Sequence, residues 1–387
     1  MTANLRAVEA GTSILRARAE GEDRVQPVEL FFDLVYVFAV TQLSHRLLSH
    51  LTVRGAVETL LLLLAVWWAW VYTSWFTNWF DPNQLAVRVM LVAVMGASLV
   101  MSAAIPDAFA GDGWRFAGAY VAVQVGRTGW ASLALGGRHE LTANLRRVAV
   151  WAMISAVPWL AGAAVEDDGR LVLWALAAAI DYGAPLVGFA TPGLGRSTTR
   201  DWTISGSHLA ERCQLFVIIA LGESVLVTGA AFGELPNAAS TTAAVAVAFL
   251  GSVGLWWIYF DRGAVSGAQV IAGADDPGRL ARSAYTLIHV VMVAGIIGVA
   301  AADELTIHHP GNDVSTAAGA IILGGPLVYL VGSGLFNGAL TGRFPRSRVV
   351  AIGVLLVLVP VAGLLSALAS SALVLAVIAG VAVGDLQ

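Results

Sequence analysis

Twelve stretches of about twenty residues are predominantly apolar, and this feature constrains the fold more than any other. They are residues 28–48, 55–76, 85–105, 114–134, 146–165, 170–190, 208–231, 241–260, 280–302, 315–335, 348–367 and 369–384. A hydrocarbon layer about 30 Å thick is crossed by about 20 helical residues. Lipid offers no partner to a backbone N–H or C=O, so such stretches must be helices that satisfy their own hydrogen bonds. The sequence therefore predicts an all-α polytopic transmembrane bundle of about twelve helices, with a last pair short enough to form one re-entrant hairpin. Composition points the same way. Hydrophobic residues make up 58% and charged residues 12% of the 387, with mean hydropathy +0.76, against about 25% charged in soluble domains. A soluble multidomain enzyme, a disordered chain and a nucleic-acid module are excluded. The partners expected are membrane lipids and a small-molecule or ion substrate, with no nucleic acid.

Arginine placement predicts the orientation, because cytoplasmic loops collect positive charge. All 22 basic Lys/Arg residues are Arg. With the N-terminus inside, fourteen fall on the cytoplasmic side, including Arg6, Arg16, Arg18, Arg24, Arg138, Arg196, Arg262 and Arg346. Four fall outside: Arg46, Arg54, Arg115 and Arg170. Both termini are thus expected in the cytoplasm of a cell whose inner or plasma membrane holds the chain. The polar start lacks a cleavable signal pattern, so the first helix is expected to direct insertion. The single cysteine, Cys213, cannot form an intramolecular disulfide.

An order of residues recurs. Asp33 is followed by Trp67-Trp68, Tyr72, Asp81 and Arg88; Glu223 is followed by Trp256-Trp257, Tyr259, Asp261 and Arg282. The two series lie six helices apart, which predicts parallel six-helix repeats, the two-halves plan of many transporters. On that plan residues 1–27 are a cytoplasmic segment, 28–190 the first half, 191–207 a cytoplasmic linker and 208–387 the second half. Aromatic belts at membrane interfaces are the competing explanation of the Trp pairs.

Charged side chains inside membrane helices are costly, and they usually face the bundle interior in pairs. Here they recur: Glu29 and Asp33 four apart on one helical face, with His45 further along; Arg88; Gln124 and Arg127; Asp181; Glu211, Arg212 and Glu223; Arg282 and His289. Glu29, Asp33, Asp181, Glu211, Glu223, His45 and His289 are candidate substrate or proton-coupling groups. Arg88, Arg127, Arg212 and Arg282 are candidate counter-ions. The near balance of signs suggests ion pairing, and helix glue is the simpler role such pairs can have. His208 and Glu211 have His-x-x-Glu spacing, but one copy beside Arg212 is a poor cation site, so no metal and no cofactor are expected. No catalytic motif or phosphate-cradling loop stands out.

The segments Val28–Ala39 (VELFFDLVYVFA) and Glu211–Ser224 (ERCQLFVIIALGES), together with Trp67–Tyr72 and Asn78–Pro82, closely resemble signatures of the bacterial low temperature requirement protein A family. The resemblance runs from about residue 25 to 305 and weakens in the last three helices. Cys213 stands where the family pattern usually has an aromatic residue. The family name records growth in the cold, so the resemblance implies membrane location and leaves the chemistry open. Three readings are open, of which the first two are a secondary transporter or permease, with or without proton coupling, and an embedded enzyme acting on a lipid or isoprenoid. A structural or sensory membrane protein is the third reading.

Overall fold

The computed structural model describes residues 14–16, 24–137, 139–234, 239–261, 263–312 and 314–386. Arg6, Arg18, Arg138 and Arg262 of the charge-bias argument, and most of the 1–27 segment, lie outside the described residues. The helices are α1 (Pro27–Ser49), α2 (Val53–Trp79), α3 (Leu85–Ala103), α4 (Gly113–Ala134), α5 (Leu141–Ala163) and α6 (Asp167–Gly183). They continue as α7 (Gly206–Glu234), α8 (Ala239–Phe260), α9 (Gly263–Ala272), α10 (Pro277–His308), α11 (Thr316–Thr341), α12 (Arg346–Leu364) and α13 (Ala367–Leu386). Each of the twelve apolar stretches has most of its length on one of these helices, although α6 ends at Gly183 and the rest of the 170–190 stretch forms turns. The protein is an all-helical, multi-pass membrane protein.

Nine of the helices among the described residues are long and apolar enough to cross a membrane. The other three expected spans, α4, α5 and α6, are helical but are less apolar on average or shorter. α5 contains Arg146 and Arg147, and α6 has only 17 residues, including Asp167, Asp168, Arg170 and Asp181. α9 was not anticipated, because ten residues are too few to register as a span.

Two compact units make up the chain. The first comprises the described parts of Met1–Ala39, Leu64–Arg212 and Ala272–Arg279. In it α3 packs on α4, α4 on α5 and α5 on α6. On α1, Glu29, Phe32, Asp33, Tyr36 and Ala39 are buried, while Leu30, Phe31, Leu34 and Phe38 are exposed. That 3.6-residue stripe turns the polar residues inward and leaves Leu and Phe facing outward, the arrangement expected in lipid.

Val40–Leu63, Cys213–Ile271 and Leu280–Gln387 form the second unit. Its core is α10 against α11, with α8 and α13 alongside. The α10–α11 crossing is closed by glycines: a Cβ on Gly295 would sit 2.4 Å from the Tyr329 nitrogen, and one on Gly325 2.7 Å from the Val299 nitrogen. Small residues allow this backbone approach, where dispersion contacts replace the missing hydrophobic drive. Residues Ala281–Ile288 of α10 adopt a π-helical register, a distortion that shifts carbonyls away from their usual partners. The His289 ring takes up one of them, Ala284 O, at 2.8 Å.

The two copies of the recurrent residue series have different surroundings. Trp67 and Trp68 are buried, whereas Trp256 and Trp257 are exposed.

Candidate functional site

The most concentrated charge in the first unit gathers where α1, α2 and the start of α7 supply side chains. Pro27 occupies the first turn of α1, where its missing N–H is not needed. Glu29, two residues on, reaches back to accept the Gln26 N–H at 2.8 Å, the glutamate half of a capping box. The same carboxylate pairs with Arg16 at 3.0 Å and accepts from His208 Nε2 at 2.9 Å. Arg212 Nη1 is 3.8 Å from Oε1, the oxygen that His208 contacts.

One helical turn along, Asp33 Oδ1 receives Arg212 Nη2 at 2.7 Å and the Trp70 indole N–H at 2.8 Å. The guanidinium carbon of Arg212 is 5.7 Å from the ring centroids of Phe32 and of Trp70. Glu29, Asp33, His208 and Arg212 are all essentially inaccessible to solvent. Two carboxylates and two guanidiniums, Arg16 and Arg212, make the cluster neutral overall, which is how buried charge is tolerated.

Hydrogen bonding fixes the His208 tautomer. Asn78 Oδ1 accepts the Ser205 N–H at 2.8 Å, so its amide NH₂ faces Ser205 O at 2.8 Å and His208 Nδ1 at 3.2 Å. Nδ1 is therefore an acceptor and Nε2 carries the proton donated to Glu29. His208 is a neutral ligand of Glu29 here, not a third cation.

Three buried polar atoms of this cluster have no hydrogen-bond partner: Asp33 Oδ2, Arg212 Nε and Arg212 Nη1. Buried polar groups are normally satisfied, and exceptions call for an explanation.

α2 carries a second network on the adjoining face. Arg127 donates to Ala69 O and Thr73 Oγ1 at 3.2 and 2.8 Å, and to Gln124 Oε1. Gln124 donates to Tyr120 Oη at 3.1 Å, and Tyr120 donates to Asp181 Oδ2 at 2.6 Å. Trp159 adds a bond to the same oxygen at 3.0 Å. Asp181 is thus linked to Arg127 through two neutral side chains, beside a cleft lined by Trp68, Tyr72, Trp151 and Phe189.

The remaining predicted residues divide between places. Glu211 is half-buried and accepts from the Val25 N–H at 3.3 Å. Arg88 is exposed, with Nη2 3.5 Å from Asn83 O, and does not join the acids of its unit. In the second unit, Glu223 is buried and accepts from Thr41. His45 lies half-exposed, 3.7 Å from Glu304. His289 bonds Tyr259 Oη at 2.9 Å; since Ala284 O can only accept, the ring proton sits on Nδ1. Arg282 is half-buried in the π-helical segment.

Sequence reasoning missed Arg16, Trp70, Asn78 and Tyr120 as members of these networks. Arg16 lies in a polar segment and was counted only for orientation. Trp70 sits in a Trp-rich stretch that reads as an aromatic belt. Only the order Asp33…Trp70…Arg212 in three dimensions reveals their roles. Asp303 was missed too, because its apolar stretch ends at 302 while the helix continues to His308.

The family described as bacterial low temperature requirement A protein (LtrA) matches residues 24–383, which includes the last three helices. An uncharacterized protein of Rhizobium meliloti (strain 1021), RA0937, is 34% identical over 348 residues, covering 90% of this chain and 85% of that protein. No solved structure matches. The two segments that supply Glu29, Asp33, His208 and Arg212 lie within the matched region, and the chain belongs to the bacterial low temperature requirement A family.

Proposed function

We propose that this protein is a proton-coupled secondary transporter of the cell membrane, with both termini in the cytoplasm and the Glu29–Arg212–Asp33 cluster at its working centre. The observation that carries this reading is the uncommitted hydrogen-bonding capacity of a fully buried ion pair. Arg46 and Arg348, paired with Glu58 and Asp385, each leave a buried Nε without a hydrogen bond, whereas Arg212 leaves two nitrogens so. Arg170 is the contrasting case, committing Nε to Gly162 O and Val165 O and Nη1 to Ala108 O and Ala110 O at 2.8–3.2 Å. Arg212 instead leaves Nε and Nη1 without a hydrogen bond beside a carboxylate whose Oδ2 is also free of one. Such a pair can accept a polar or anionic substrate group on Arg212 and a proton on Asp33 without rebuilding its surroundings.

The orientation is supported by loops that meet. Residues 14–16 bond to the α2–α3 turn, through Arg16 N to Trp79 O and Asp81 N to Ile14 O. Arg147 at the α4–α5 end bonds Leu194 O in the α6–α7 loop at 2.7 Å. All of these segments are ones that the arginine bias assigns to the cytoplasm.

The test is reconstitution into liposomes that enclose a pH-sensitive dye, with a pH gradient imposed. Metabolites that differ between a deletion strain and its parent are the compounds to add. At least one should drive proton movement with the wild type and none with Asp33→Asn. Gradient-independent turnover of a lipid in detergent, with no coupled flux, would replace this reading with the enzyme one.

A further inference from the structure

A different carboxylate stands out in the second unit. Asp303 lies on α10 about one and a half turns before its end, and is nine-tenths buried. Its Oδ2 accepts from Ser224 on α7, and Ser224 Oγ is 2.7 Å from Ser252 Oγ on α8. The carboxylate also lines a small cleft whose other walls are Val247 and Gly251 of α8, Ile322 and Pro326 of α11, and residues of α13 including Ser371 and Val374.

No cation meets it. α8 and α11 contain no Asp, Glu, Lys, Arg or His, and the one such residue of α13, Asp385, pairs with Arg348. On α10, His308 bonds Glu304 O, Glu304 pairs with His45, and His289 lies fourteen residues away on Tyr259. On α7, Glu223 bonds Thr41. Among the described residues Asp303 therefore has hydroxyl partners only.

An ionised carboxylate without a cation is the costliest form a side chain can take in an apolar wall, and a proton is the simplest neutralising partner. Hydroxyls suit both states. Ser224 donates to the carboxylate, and after protonation it can accept from the acid while donating to Ser252. A metal cation is a poorer fit, since hard cations need six or so oxygens, and the cleft beyond Ser371 is hydrocarbon. We infer that Asp303 is a proton-binding site, loaded through the cleft between α8, α10, α11 and α13 and held by the reversible Ser224–Ser252 hydroxyl pair. This goes beyond the transport reading and does not depend on it.

Hydrophobic dicyclohexylcarbodiimide tests it on the full-length protein. The reagent takes the proton of a carboxylic acid on one nitrogen and the carboxyl oxygen on its central carbon, and the product rearranges to a stable N-acylurea. Peptide mapping should place the adduct on Asp303. Its yield should fall about tenfold per pH unit on the alkaline side of the midpoint, as the protonated fraction does. A water-soluble carbodiimide should modify it far less. Asp303→Asn should lose the adduct and Asp303→Glu keep it; if the Asn variant fails to fold, the wild-type map and the Glu variant still decide. Absence of an Asp303 adduct while other carboxyls react, a yield indifferent to pH, or protection by sodium ions would each overturn the inference. Labelling in a protein that moves no substrate would leave the proton site standing and remove only the transporter reading.

Discussion

At the residue scale, Arg212 and Asp33 illustrate how a membrane interior treats charge. Removing one partner of a buried pair leaves the other uncompensated and costs about 3–5 kcal/mol, whereas replacing both with apolar groups of similar volume is often neutral. Asp33→Leu or Arg212→Met alone should therefore lower thermal stability in detergent by about that much, and the double variant should recover most of it. All three should fail to complement a deletion strain. A double variant that is both stable and functional would reduce the pair to helix glue. Arg170 gives the contrasting case. Its four carbonyl bonds span the α3–α4 and α5–α6 turns, and lysine has neither the planar fork nor the donors to replace them. Arg170→Lys should cost about 1.5–3 kcal/mol, the scale of hydrogen bonds to charged groups, read from the same melts. The membership of Glu29, Asp33 and Arg212 in one cluster was legible because four-residue spacing sets a helical face and buried charges seek partners. Arg88 was not legible as an outsider. Its position in an apolar stretch looks the same as Arg127's, and only packing tells that the first faces outward while the second is buried.

Elements were legible as far as composition marks them. Every apolar stretch is helix over most of its length, as a lipid surround requires, with turns only at residues 184–189 of the 170–190 stretch and at stretch ends. Register within a helix was not: the π-helical turn at Ala281–Ile288 leaves no trace in hydropathy, because it alters backbone pairing and not residue type. Adjacent glycines look alike in a sequence and differ in packing. Gly324-Gly325 reads as a packing site, yet a Cβ on Gly324 would meet nothing within 4 Å, while one on Gly325 would lie 2.7 Å from Val299 N and 2.8 Å from Gly298 C. The adjacent residues should thus differ in sign. Gly324→Ala should be neutral or mildly stabilising, since alanine loses less backbone entropy in a helix. Gly325→Ala should force α10 and α11 apart and cost about 1–3 kcal/mol, the range for overpacking. Equal effects of the two substitutions on the melting temperature would contradict the close crossing.

For the whole molecule, the parity of membrane crossings decides the topology. Nine spans place the termini on opposite sides, and twelve place them on the same side; the difference rests on α4, α5 and α6. α6 is the most informative of the three, since 17 residues give about 25 Å of helix, just short of a 30 Å hydrocarbon layer. It ends in a segment bearing Arg196 and begins with Asp167-Asp168. If the arginine bias sets the orientation, single cysteines at these two ends should label from opposite sides. Arg196→Cys should react with an impermeant maleimide only in inverted vesicles, and Asp168→Cys only in intact cells. The native thiol does not interfere, because Cys213 is fully buried. A tag after Gln387 should be reached from the same side as Arg196→Cys. Labelling of both α6 ends from one side would remove α6 from the crossings, and the reverse pattern would invert the protein. Either result would move the Glu29–Arg212–Asp33 cluster relative to the proton gradient that the proposed transport draws on.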